Sequence, residues 1–251
     1  MADERATNVA APRAAATVLV VRDAGAGLEV FLVQRHRRSG FLPNAWVFPG
    51  GAVEEADRLR AADPELRGGE ALAAFGLPRT VALAYGLAAV RETREESGIT
   101  IGLDDLHAWS WWVTPEAEPR RFDTRFMLAV VRDAAGRHDD VETVASQWIT
   151  PAGALAAGQS AVPLAPPTWW TLRELAACGT VTAALAATRP ADRAIRPVMS
   201  FHEDGMRLAL PGHPDHPDPA VPGFPDRITW ERDRWVGWRR GERLSDPSAS
   251  R

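Results

Sequence analysis

The chain has 251 residues, of which 45% are hydrophobic and 25% are charged, a composition typical of a globular protein with a sizeable core. Its formal net charge of −4 gives no general attraction to nucleic acid or to anionic membranes, so neither partner is expected. A single cysteine, Cys178, excludes an intramolecular disulfide, and no apolar run approaches the roughly 20 residues that cross a bilayer. Since the N-terminal segment also lacks an apolar signal region, a cytoplasmic location is predicted.

The first part of the chain predicts a β-hairpin followed by a basic loop. Residues 1–13 are small and polar, and we expect them to be disordered. Strands are predicted at 17–22 and 28–35, on either side of a glycine-containing turn. The loop that follows carries three arginines, and it either covers an anionic substrate or is simply solvated; the candidate substrate-binding residues are Arg35, Arg37 and Arg38.

The most informative stretch is 91–99, Arg-Glu-Thr-Arg-Glu-Glu-Ser-Gly-Ile. Good helix formers precede it, and a glycine stands where a helix C-cap belongs, so a helix is predicted over about 80–97. Helical spacing places Glu92, Glu95 and Glu96 on one face within about one turn. Three like charges this close need solvent, arginine partners or a divalent cation, and Mg²⁺ prefers carboxylate oxygens. The alternative is a solvated acidic face.

A glycine pair lies upstream, at the end of the sequence Val-Phe-Pro-Gly-Gly over 47–51. This pair and the 91–99 stretch together resemble the signature of the Nudix hydrolases, in which a glycine and an acidic residue precede Arg-Glu-apolar-x-Glu-Glu-x-Gly-apolar. Thr93 departs from the pattern, because an aliphatic residue is usual at that position. The resemblance covers about 15–175 and implies an α/β fold, the Nudix-type α/β/α sandwich with a mixed sheet.

The resemblance also implies a metal site. Mg²⁺ or Mn²⁺ would be held by Glu92, Glu95 and Glu96 together with a backbone carbonyl at the glycine pair, which corresponds here to Gly50. Arg91 would orient these carboxylates rather than contact the substrate. Which glutamate accepts the proton from water is left open, since clustered carboxylates titrate together.

Nudix enzymes often bring one more glutamate to the site, from a loop just before a strand with tryptophan. Here an acidic loop precedes the strand predicted at 144–149. Glu142 is our choice for this additional ligand or base, with Asp140 as the second candidate. A solvated turn is the alternative.

The signature is interrupted by an insertion, which we assign to 58–79. In the family an early acidic residue pairs with the arginine that stands at Arg91. Asp57 is at the expected position, but Glu54 and Glu55 are alternatives. The insertion, together with 40–51 and 119–126, resembles the branch of the family that includes a peroxisomal coenzyme A diphosphatase. A separate coenzyme A signature known from other Nudix enzymes is absent.

Two further arginines are candidates for substrate binding. A strand is predicted at 122–131, directly after Arg121. Arg125 and Asp123 are two residues apart and share one face of this strand. The opposite face carries Phe122, Thr124 and Phe126. An inward arginine suits phosphate, because its fork gives bidentate hydrogen bonds. A structural Arg–Asp pair is the alternative.

The C-terminal part predicts a helical and proline-rich extension. A helix begins after Thr168, a good N-cap, and strands are predicted at 228–230 and 234–238. We therefore expect a disordered N-terminus at 1–13 and a Nudix domain at 14–189. An extension at 190–251 would pack on the same domain and end in a disordered tail.

Three functions fit these observations. The first is a metal-dependent hydrolase of a nucleoside diphosphate linked to another moiety, with CoA or an acyl-CoA as the branch-level expectation. The second is a nucleotide or nucleotide-sugar pyrophosphatase. The third is a non-catalytic ligand sensor, which intact carboxylates disfavour. The exact substrate and the role of the insertion are not readable from the sequence. A homodimer is expected because dimers are common in the family.

Overall fold

The computed structural model describes residues 9–25, 27–39, 42–132, 134–139, 143–203 and 205–246. Within these ranges a seven-stranded mixed sheet forms the centre of the molecule. Its main path runs β3-β2-β1-β6-β5, while β4 pairs with β1 and β7 pairs with β2. The β1–β6 pair is parallel and the other pairs are antiparallel. The strands are β1 (Arg13–Ala24), β2 (Gly27–Arg35), β3 (Trp46–Val47), β4 (Gly50–Ala52), β5 (Leu106–Val113), β6 (Phe122–Val130) and β7 (Thr143–Ile149).

Helices cover both faces of this sheet. They are α1 (Glu55–Ala61), α2 (Arg79–Ser97), α3 (Pro151–Ala161), α4 (Pro166–Cys178) and α5 (Val181–Ala186), with a 3-10 turn at Glu70–Phe75 inside the predicted insertion. The predicted C-cap of α2 is confirmed. Gly98 adopts a left-handed φ of 68° and its amide donates to the Arg94 carbonyl. In the part of the chain that the structure describes, no helix combines the length and apolar character needed to cross a membrane.

Two hydrophobic cores lie on opposite faces of the sheet, and alternate residues of β1 enter each of them. Leu19 and Val21 pack with residues of α3, α4 and α5. Val18 and Val20 pack with residues of α2 and of the 3-10 turn. Both sets are almost completely buried, because helices cover both sides of the strand. The predicted α/β/α sandwich is therefore confirmed.

The C-terminal region differs from the helical and proline-rich extension that we predicted, because it forms a second sheet. Its five strands are antiparallel in the order β12-β11-β10-β9-β8. The two predicted strands correspond to β10 and β11, and the other three were missed. The strands are β8 (Val198–His202), β9 (Gly205–Ala209), β10 (Arg227–Glu231), β11 (Arg234–Arg239) and β12 (Glu242–Arg243).

The second sheet packs on the same core as α3–α5. Leu208 of β9 and Ile228 of β10 are buried in that core. The indole of Trp235 in β11 donates a 2.7 Å hydrogen bond to the carbonyl of Leu164. The segment that contains Leu164 pairs with Trp46 beside the main sheet, so the C-terminal sheet is tied to the strand that leads into the glycine pair.

Candidate active site

Helix α2 carries two glutamates directly over the glycine pair of β4. Glu96 is only 5% exposed, and one of its carboxylate oxygens accepts a 2.9 Å hydrogen bond from the amide of Gly50. A Cβ added at Gly51 would lie 2.3 Å from Oε1 of Glu92. Only glycine leaves room for the Glu92 carboxylate at this position. The glycine pair and the two carboxylates therefore form one close-packed unit.

Glu95 has a different environment from the other two glutamates. Its side chain is 51% exposed, compared with 14% for Glu92. Arg91 lies between them, because its Nη1 donates to Glu92 at 2.8 Å and to Glu95 at 3.2 Å. Arg91 thus offsets part of the repulsion that three neighbouring carboxylates would otherwise suffer.

The other side of the Arg91 guanidinium is held by Asp57. Nη2 of Arg91 donates to Asp57 Oδ2 and to the Ala52 carbonyl, both at 3.0 Å. Burial alone would lower the pKa of Arg91, but its hydrogen bonds to Asp57 and Glu92 and their negative charges raise it above the ordinary value. Arg91 therefore stays charged and fixed, as expected of a residue that orients carboxylates.

Asp57 is thus the acidic partner that the sequence left open between three candidates. It is 6% exposed, and its carboxylate also accepts a hydrogen bond from the amide of Glu54 at the start of α1. Glu54 and Glu55 are exposed. Because α1 packs against α2, the long insertion that follows Asp57 leaves the Arg–Asp pair intact.

A cleft of about 1090 Å³ opens beside the glycine pair. Gly50, Gly51 and Glu92 line it, as does Arg35 from the end of β2. Two arginines that we did not predict, Arg13 and Arg120, also line the cleft. Their signal in the sequence was weak, because single arginines at strand and loop ends are common. The cleft therefore brings positive side chains to the same space as the carboxylate of Glu92, whereas Glu95 and Glu96 do not line it.

No protein-family model matches this chain. The acyl-coenzyme A diphosphatase NUDT19 of Gallus gallus is 27% identical to it, over 83% of this chain and 78% of that protein. The Homo sapiens protein of the same name is also 27% identical, over 74% and 72% of the two chains. The crystal structure of a NUDIX hydrolase from Alicyclobacillus acidocaldarius matches with a TM-score of 0.61 and 27% identity, covering 72% of this chain and 98% of that one. The chain has the Nudix hydrolase fold.

The family resemblance predicted from the signature is confirmed by this sequence and structural similarity. The matching relatives are named acyl-coenzyme A diphosphatase, and the matching crystal structure is that of a NUDIX hydrolase. The named relatives in Gallus gallus and Homo sapiens also support the predicted branch.

Arg125 lies on the side of the Nudix sheet away from the cleft. It is 2% exposed, and its guanidinium carbon is 3.5 Å from the ring centre of Trp111. Its Nε is 3.7 Å from Asp123. Burial lowers the pKa of Arg125. The opposite face of β6 lines the cleft instead, through Phe122, Thr124 and Phe126. The geometry therefore favours the structural Arg–Asp pair over a phosphate ligand.

The remaining predicted arginines do not line the cleft. Arg37 and Arg38 are exposed on the loop after β2. Arg121 donates to the carbonyls of Thr114 and Ala10, at 3.2 and 2.8 Å, which holds the chain entering β1 against the β5–β6 hairpin. Of the five arginines predicted to bind substrate, the structure thus brings Arg35 into the cleft.

The predicted metal ligands are only partly assembled. Glu142 and its alternative Asp140 lie outside the described residues. Within the described ranges, no three His, Cys, Asp or Glu side chains surround a common point as a metal site would require. The donor chemistry nevertheless fits a hard cation, because Glu92 and Glu96 offer carboxylate oxygens beside a glycine backbone that no side chain obstructs. Metal binding by Glu92, Glu95, Glu96 and Gly50 stays a prediction.

Proposed function

We propose that the chain is a divalent-cation-dependent hydrolase that cleaves the diphosphate linkage of a nucleoside diphosphate joined to another moiety. The leading substrates are CoA and acyl-CoAs. One observation carries the proposal: Glu92 and Glu96 lie over the glycine pair where a large cleft with arginines opens. The relatives named acyl-coenzyme A diphosphatase support the choice of substrate.

The residues of α2 would act on the diphosphate in two ways. Glu92, Glu95 and Glu96 would hold Mg²⁺ or Mn²⁺, and the bound cation supplies charge neutralisation and a Lewis acid. Arg91, fixed by Asp57, keeps the Glu92 and Glu95 carboxylates in place.

The arginines in the cleft bind phosphate oxygens that the carboxylates would otherwise repel. Arg35 and its two cationic neighbours in the cleft, Arg13 and Arg120, are the candidates. Their positive charge also draws an anionic substrate toward the cleft.

The reaction itself is a hydrolysis that needs only water as co-reactant. The water oxygen bonds to one phosphorus, and the bond from that phosphorus to the bridging oxygen breaks. The bridging oxygen leaves on the second phosphate, and a carboxylate of the cluster accepts the proton from water. With CoA the products are 3′,5′-ADP and the phosphopantetheine half of the molecule.

The experiment that tests this proposal is product analysis across a substrate panel with Mg²⁺ or Mn²⁺. The panel contains CoA, acyl-CoAs, NADH, ADP-ribose, nucleotide sugars and nucleoside triphosphates, and mass spectrometry identifies the bond that is cut. Release of 3′,5′-ADP from CoA or an acyl-CoA is the expected result, with Glu96→Gln as the inactive control. Turnover of another dinucleotide alone would exclude CoA as the substrate. Tight binding of one ligand without any turnover would exclude a hydrolase and favour a sensor.

We also propose a cytoplasmic location, which the single cysteine and the lack of a long apolar run support. A homodimer follows from the family, and sedimentation velocity of the purified chain measures it directly. A monomer at all concentrations would contradict the dimer.

A further inference from the structure

One wall of the cleft comes from the C-terminal region and is apolar. The segment 163–167 has the sequence Pro-Leu-Ala-Pro-Pro, and all five of its residues line the cleft. The C-terminal sheet adds four side chains to the lining: Met199, Met206, Leu208 and Trp235. We define these nine residues as the C-terminal wall. Neither the carboxylates of α2 nor the arginines of the cleft belong to it.

Strand register explains why the two methionines belong to one surface. Met199 of β8 is paired with Leu208 of β9, and residues paired in an antiparallel ladder point to the same face. Met206 is two residues before Leu208 and so shares that face. Leu208 is 3% exposed and anchors the surface in the core. The two methionines are only partly buried against that core. They are therefore free to adapt to a ligand.

The charges in the cleft are separated from this wall. All the charged residues that line the cleft lie within the first 120 residues: Arg13, Arg35, Glu54, Glu92, Glu118 and Arg120. The indole N–H of Trp235 is already used by the Leu164 carbonyl. A nucleotide base would find few side-chain hydrogen-bonding groups on this wall, whereas an alkyl chain needs none.

We propose that the C-terminal wall binds the apolar acyl chain of the substrate while the glycine pair and α2 act on the diphosphate. This inference rests on the proposed function, and it assigns the selection of acylated substrates to the C-terminal wall. Burial of methylene groups removes apolar surface from water, so a long chain gains affinity that free CoA does not. Methionine suits this role, because its unbranched side chain repacks around ligands of different length.

The test replaces one methionine at a time by the similarly shaped but polar glutamine. Met199→Gln and Met206→Gln are the test variants. Val198→Gln is the matched control, because Val198 is 46% exposed and neighbouring residues of a strand point to opposite faces. The first readout is the ratio of kcat/KM for palmitoyl-CoA to kcat/KM for free CoA. We expect this ratio to fall about tenfold in each test variant, because an amide replaces an apolar contact. The control should keep the wild-type ratio.

A second readout does not depend on turnover. Calorimetry in EDTA compares binding of palmitoyl-CoA and free CoA to the wild type and to each variant, after a thermal melt has shown that the variant is folded. The acylated ligand is expected to bind more tightly to the wild type, with a smaller difference in the test variants. Equal binding of both ligands by the wild type, or an equal loss for both in the variants, would overturn the inference. Absence of CoA turnover together with acyl-selective binding would instead contradict only the proposed reaction.

Discussion

The carboxylate of Glu96 accepts a 2.9 Å hydrogen bond from the amide of Gly50, 46 positions earlier in the chain. This contact joins the last turn of α2 to β4, on which the cleft opens. A buried carboxylate is costly unless it is hydrogen-bonded, and the glycine amide supplies such a bond. The same arrangement holds a negative charge beside the proposed position of the diphosphate, where a cation is needed to offset it.

Glu96→Gln is therefore expected to remove catalysis while the fold persists. The amide keeps the size of the side chain but loses its charge, so we expect kcat to fall by at least about 100-fold. Glu95→Gln should also lose most activity, with a smaller effect on stability because its side chain is half exposed. Glu55→Gln, at an exposed residue of α1, is the control. Activity near that of the wild type in a folded Glu96→Gln variant would exclude the proposed site.

Alanine substitutions at the two glycines of β4 should affect different properties: activity at Gly51 and stability at Gly50. The three atoms nearest to a Cβ at Gly51 belong to the carboxylate end of Glu92, which can move, so Gly51→Ala should fold and lose activity. A Cβ at Gly50 would lie 2.2 Å from the Ala16 carbonyl oxygen, which belongs to β1 and cannot move easily. We expect Gly50→Ala to lower stability by about 2 kcal/mol or more.

Thermal melts and steady-state rates of the two variants check this contrast. Activity in the Gly51→Ala variant would show that catalysis does not require the Glu92 carboxylate to lie against Gly51. An unchanged melting temperature in Gly50→Ala would show that β1 and β4 can separate without cost.

Local signals predicted the helix that carries the candidate site. Helix α2 and its C-cap were readable because helix propensity and a glycine at the end act within one segment. The nearness of the glutamates to the glycine pair followed from the family signature. The signature could not decide which of Asp57, Glu54 and Glu55 pairs with Arg91, because that depends on how α1 packs against α2. Three acids within four residues are equivalent until that packing is known.

Other features were not predictable because they depend on which side of an element faces the cleft. Alternation placed Arg125 and Asp123 on one face of β6, but both faces of this strand are covered. Period-two patterns cannot then identify the face that meets a ligand. Strand β8 was missed because its residues are mostly exposed and include polar side chains, so it lacks the buried alternation that marks a strand.

The Arg91–Asp57 pair should contribute to both stability and rate. Asp57→Asn keeps the shape but weakens two charge-assisted hydrogen bonds to Arg91, and we expect a loss of about 2 kcal/mol in the free energy of unfolding. The rate should fall as well, because Arg91 then holds Glu92 less firmly. Urea denaturation and kcat measure the two effects. Glu55→Gln is the control at a neighbouring exposed acid that does not line the cleft, and an equal effect there would contradict the assignment of Asp57.

Arg35 and Arg37 offer a test of which basic residue meets the substrate. Arg35 lines the cleft, whereas Arg37 is exposed and lies outside its lining. Arg35→Gln should raise KM for the diphosphate substrate about tenfold, because a charge-assisted hydrogen bond to phosphate is lost. Arg37→Gln should raise it much less. KM values that rise equally in both variants would show that the whole loop closes over the substrate, as the sequence had also allowed.

Thr93→Val is expected to stabilise the protein. Thr93 occupies the position where the family usually has an aliphatic residue, and it is completely buried. Its hydroxyl has no hydrogen-bond partner among the described residues. Valine has nearly the same shape and removes that unsatisfied group, so the free energy of unfolding should rise by about 1 kcal/mol. Thr168→Val replaces another buried threonine, but that residue lines the cleft. The melting temperatures of the two variants can therefore be compared, whereas only Thr168→Val changes the cleft. A lower melting temperature in Thr93→Val would show that the hydroxyl of Thr93 makes a stabilising contact.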